Sequence, residues 1–64
     1  MNARESRSLI KRAKKKAGTY QGLAEVLSSR HPDNTITMSG VYSMLVRGKI
    51  TPGWEEYIKE AAGT

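Results

Sequence analysis

Residues 19–52 read TYQGLAEVLSSRHPDNTITMSGVYSMLVRGKITP, and the punctuation of that stretch marks out two helices. The Thr19 hydroxyl is placed to accept from the orphan N–H groups of Gln21 or Gly22 at a helix start. Tyr20, Leu23, Ala24 and Leu27 follow as an apolar stripe at helical spacing, and this helix is expected to run through Ser29 or Arg30. Pro32, Asp33 and Asn34 then break it. A second helix opens at Thr37. With Thr37 as cap, Ile36 falls just before the helix and Val41 at its fourth position, the spacing of a hydrophobic staple that fixes how the chain enters the helix. Val41, Met44 and Leu45 form its buried stripe, Ser39, Ser43 and Val46 point away, and Gly48 stops it.

Working outward, the same periodicity appears on both sides. From Ala3 to Ala17, residues Ser6, Ile10, Ala13 and Ala17 share a face with Leu9 beside them, while Arg4, Lys11 and Lys15 lie opposite; Gly18 is the stop. After the central pair, Thr51 as cap and Pro52 at the first helical position predict a further helix carrying Trp54, Tyr57, Ile58 and Ala61, ended by Gly63. No alternating run suggests a strand. The expectation is an all-α fold of four or five short helices, a single domain over residues 1–64.

Composition narrows the function. The 64 residues include no cysteine, so neither a disulfide nor a thiolate metal site is available. The one histidine, His31, cannot hold a metal alone and reads as a solvated loop residue. No stretch reaches the ~18 apolar residues of a membrane span and no secretory leader is evident, so a cytoplasmic location is expected. The net charge of +5 is unevenly distributed. Residues 1–16 carry Arg4, Arg7, Lys11, Arg12, Lys14, Lys15 and Lys16 against Glu5, whereas residues 53–64 carry Glu55, Glu56 and Glu60 against Lys59. A basic end and a mildly acidic end suit an oriented encounter with a polyanion.

Short helices, tight connections and a compact central pair point to a helix-turn-helix. Tyr20-Gln-Gly-Leu-Ala-Glu-Val-Leu27 resembles the first helix of the phage Cro/repressor (lambda-repressor-like) helix-turn-helix family, with Leu23, Ala24 and Leu27 at its apolar positions. Ala24 is the informative match, because a larger side chain would push the two helices apart. Ile36-Thr-Met-Ser-Gly-Val-Tyr-Ser-Met-Leu45 is similar to the family's recognition-helix stretch, and Arg47-Gly-Lys-Ile-Thr-Pro52 to its exit into the next helix. The chain departs from the family in one place. Residues 28–34 are inserted between Leu27 and Thr35, which either extends the first helix by about two turns or adds a loop, and so lengthens the turn.

The resemblance implies double-stranded DNA as the partner, read in the major groove by residues 37–47. It assigns base reading to Thr37, Met38, Ser39, Tyr42 and Ser43. The two serines can bond most base edges, Met38 and Tyr42 can pack on a thymine methyl, and Gly40 lets the backbone approach. Phosphate contacts fall to Lys15, Lys16, Thr19, Tyr20, Gln21, Arg47 and Lys49, the first helical turn after Thr19 offering its N–H groups and positive dipole end. Inserted Arg30 and His31 stand within reach of a phosphate or in a solvated loop. Family members pair on near-palindromic sites, so a homodimer, formed in free solution or only on DNA, is expected; Trp54, Tyr57 and Ile58 are candidates for its surface, with Trp54 and Ile58 favoured instead for the core.

Three functions stay open: a phage- or prophage-type transcriptional repressor, an excisionase-like accessory factor that bends DNA, and a helical protein-interaction module of adaptor or antitoxin type. An enzyme is not expected. Glu55 and Glu56 are adjacent rather than paired across a cleft, one loop histidine makes no catalytic triad, and no glycine-rich loop joins a strand to a helix. No catalytic residue, metal, cofactor or small-molecule substrate follows from the sequence.

Overall fold

The computed structural model describes residues 2–31 and 33–63, and among these the chain forms four helices and no strand. They are α1 (Ala3–Ala17), α2 (Tyr20–Arg30), α3 (Met38–Arg47) and α4 (Glu55–Ala61). None is long and apolar enough to cross a membrane. The sequence breaker Pro32 and the two chain ends lie outside the described residues.

Capping explains where the helices begin. Asn2 Oδ1 accepts from the Glu5 N–H at 2.8 Å at the head of α1, a start that the sequence reading passed over. The Thr19 hydroxyl accepts from Gly22 N–H at 2.9 Å and the Thr37 hydroxyl from Gly40 N–H at 3.2 Å, so the expected caps of α2 and α3 form. Each satisfies one backbone donor that a helix start leaves orphaned. The basic residues Lys14, Lys15 and Lys16 fill the last turn of α1, where the dipole favours positive charge.

The core is assembled from all four helices. Ile10, Leu23, Leu27, Val41, Met44 and Ile58 are completely enclosed, with Leu9, Ala13, Ala24, Ile50, Trp54 and Ala62 around them. Ser6 is buried with the α1 stripe. Trp54 and Ile58 are therefore core residues of the single chain, which removes them as a dimer surface. Tyr57 is half-buried against the same cluster. α3 packs on α2 and α1, and α4 packs on the same two helices from elsewhere.

The fourth helix starts at Glu55 rather than Pro52. Thr51 instead accepts the Trp54 N–H at 3.1 Å in a turn, with Gly53 at φ 95°. That left-handed residue is incompatible with a first helical turn, and it delivers the Trp54 ring into the core. Gly40 is needed for packing. A Cβ there would stand 2.9 Å from Ile36 Cγ1, so the room is filled by Ile36 folding over the start of α3.

The inserted residues 28–34 divide between helix and loop. Ser28, Ser29 and Arg30 prolong α2, about one turn rather than two. The Ser28 hydroxyl then clasps the far end of the loop, accepting from Ile36 N–H at 2.9 Å and donating to Ile36 C=O at 3.0 Å. His31 is half-buried rather than solvated. Its ring lies 4.8 Å from Trp54 and 4.7 Å from Tyr57 between centroids, and its Nδ1 is enclosed with no hydrogen-bond partner among the described residues. Aromatic contact, which the loop composition around it gave no reason to expect, is what draws it inward. Arg30 reaches Glu60 at 3.6 Å, tying the end of α2 to α4.

Candidate nucleic-acid interface

α3 has two unlike sides. Val41 and Met44 point into the core, and the opposite side is open. At 3.6 residues per turn, that open side carries two parallel rows. One is apolar: Met38, Tyr42 and Val46, which are 49%, 51% and 65% exposed. The other is polar: Ser39, Ser43 and Arg47, all exposed. These six side chains line one shallow depression. Four of the five residues assigned to base reading therefore lie together. The fifth, Thr37, stands at the helix head with its hydroxyl oxygen engaged by Gly40 N–H.

Tyr42 is held from the side. Its ring stacks on that of Tyr20 at 5.6 Å between centroids and 16° between planes, and the Lys14 ammonium lies 5.6 Å from the Tyr20 ring centre. A cation over an aromatic ring is attracted by its quadrupole. The arrangement joins the end of α1, the start of α2 and the middle of α3 on one surface. Gln21 adjoins it, lining a groove with Thr37, Met38 and Ser39. With Gly22 N–H taken by the Thr19 hydroxyl, the preceding amides of Tyr20 and Gln21 remain at the positive end of α2 for an external acceptor.

The other end of α3 is also cationic. Arg47 and Lys49 border a common hollow with Thr51 and Pro52, and Arg47 Nε donates to Ser43 C=O at 3.4 Å. Arg7, unassigned by the sequence reading, donates from Nε to Leu45 C=O and from Nη2 to Val46 C=O, each at 3.1 Å. A guanidinium on the last carbonyls of a helix meets its negative dipole end, so Arg7 fixes the end of α3 to α1. Gly48 makes the approach possible. It sits at φ 67°, and a Cβ there would stand 2.7 Å from Ala3 Cβ and 3.1 Å from the Arg7 guanidinium carbon.

Not every assigned cation joins this surface. Lys15 is exposed on α1, while the Lys16 ammonium lies against Gly63 beyond the end of α4, away from α3. Sequence reasoning missed Arg7 and, having turned Val46 outward by spacing, gave it no role. Arg7 was not legible, because its acceptors lie 38 and 39 residues away. Comparison with known proteins finds no protein family, no curated protein and no solved structure that matches the chain.

Proposed function

We propose that this chain is a sequence-specific double-stranded DNA-binding protein of the helix-turn-helix kind, a phage- or prophage-type repressor that lays α3 in a major groove. The observation that carries this reading is the open side of α3. A ten-residue helix commits Val41 and Met44 to the core while turning Met38, Ser39, Tyr42, Ser43 and Val46 to solvent, with cations at both ends. A major groove admits one such helix, and residues of its first turns meet base edges.

Roles follow from position. Ser39 and Ser43 bond base edges, and Met38 and Tyr42 pack on them. Lys15, Thr19, Tyr20 and Gln21 hold the phosphates at one end of the helix, and Arg47 and Lys49 those at the other. Arg7 holds the helix in register from behind. The clasp at Ser28 closes the lengthened turn between the motif helices, so the insertion leaves the α2–α3 pair intact. Two copies on a near-palindromic site would double the contacts of a module this small.

Selection of bound duplexes from random DNA tests the reading. A two-fold-symmetric consensus is expected, bound with an affinity that falls steeply with salt as counterions are released. Failure to enrich any sequence, together with no retardation of mixed duplexes at low salt, would overturn it in favour of a protein-interaction module.

A further inference from the structure

The two rows of α3 differ in what they can recognise. Bidentate hydrogen bonding to guanine or adenine needs Arg, Lys, Asn or Gln, and α3 carries none of these before Arg47, its last residue. Its hydroxyl row, Ser39 and Ser43, bonds donors and acceptors alike and discriminates little between bases. The apolar row is larger and continuous. Met38, Tyr42 and Val46 follow one another at a single helical step, about 6 Å apart along the axis, close to two base-pair steps of about 3.4 Å. Tyr42 does not swing freely, because Tyr20 stacks on one face of its ring. Large apolar side chains left half-exposed in a chain of net charge +5, with Lys14, Arg47 and Lys49 at the borders, suit an apolar feature set within a polyanion. The major groove has one such feature, the 5-methyl group of thymine.

Resting on DNA as the ligand of α3, we infer that Met38, Tyr42 and Val46 form a methyl-reading row, and that the preferred half-site is specified chiefly by thymine 5-methyl groups rather than by hydrogen-bonded purines. Val46 thereby becomes a specificity-determining residue, and Tyr20 a positioning residue that sets the Tyr42 ring.

Replacing thymine by uracil in the selected duplex removes the methyl and keeps every hydrogen-bonding group. Each replacement under the row is expected to weaken binding about fourfold, the worth of one buried methyl-sized group. Placing 5-methylcytosine where cytosine has replaced that thymine should recover a similar factor. Met38→Ala and Val46→Ala alter exposed side chains and should leave folding intact, yet each should abolish the thymine–uracil difference at its own base pair only. Tyr20→Leu should diminish the difference under Tyr42 without changing it under Val46. A duplex bound equally well with thymine or uracil would overturn the methyl row while leaving DNA binding standing. Retained discrimination in both alanine variants would do the same. Absence of any selected duplex would remove both, and an apolar protein partner would then be the occupant of this face.

Discussion

The molecule has two aromatic groups, both touching α2, and they differ in burial. At the end of α2, His31, Trp54 and Tyr57 meet with centroids 4.7–6.0 Å apart, and Trp54 is only 8% exposed. This group closes a core that has no phenylalanine. At the start of α2, Tyr20 and Tyr42 stack almost parallel, and Tyr42 remains half in solvent. Removing the first group would open the interior, whereas removing the exposed Tyr42 ring would leave the core covered, Tyr20 being the member of the pair that packs against it. Aromatic residues are enriched where proteins bind as well as where they pack, and the proposed function takes the more exposed pair as the binding one. Within the inserted segment, His31 joins the packed group and Ser28 clasps Ile36.

Trp54→Ala offers the hardest test of this contrast. It should cost about 3–5 kcal/mol by denaturant unfolding, comparable with the entire stability of so small a domain. Ser28→Ala should cost about 1–2 kcal/mol, since it strands the Ile36 N–H and C=O in a half-buried site, and hydrogen exchange at Ile36 should accelerate. His31→Ala should follow at about 1 kcal/mol, the worth of its ring contacts. Tyr42→Ala should change stability by less than about 1 kcal/mol while lowering DNA affinity. If Tyr42→Ala destabilised the fold as much as Trp54→Ala, the division into a packed and a presented group would fail. Lys49→Ala should have the smallest structural effect. It should weaken binding to all duplexes alike and reduce the salt slope by about one.

Much of the fold was legible because local chemistry decided it. Thr19 and Thr37 cap the helices that their positions announce, Gly18 and Gly48 end α1 and α3 with positive φ, and the stripes Leu23–Leu27 and Val41–Met44 fill the core. The signal at Thr51-Pro52 misled because Gly53 adopts a left-handed conformation that delays α4 to Glu55. Contacts between distant segments were not legible. Nothing near Arg7 announces that it will hold the carbonyls of Leu45 and Val46, and nothing near His31 shows that Trp54 waits for it. For the candidate interface, spacing turned Ser39, Ser43 and Val46 to the open side of α3, and the family resemblance added Met38 and Tyr42. The Tyr20–Tyr42 stack needed the packing of α2 on α3, and the displacement of Lys16 toward Gly63 needed that of α1 on α4.

The central claim is that the open side of α3 meets DNA while the His31–Trp54–Tyr57 group serves the fold. Amide shift mapping of the isotope-labelled chain during titration with duplex DNA tests it most directly. The account predicts salt-sensitive perturbations along Met38–Arg47 and at Thr19–Gln21, with the backbone of α4 unmoved. Perturbations concentrated on α4 and His31, or none at low salt, would contradict it.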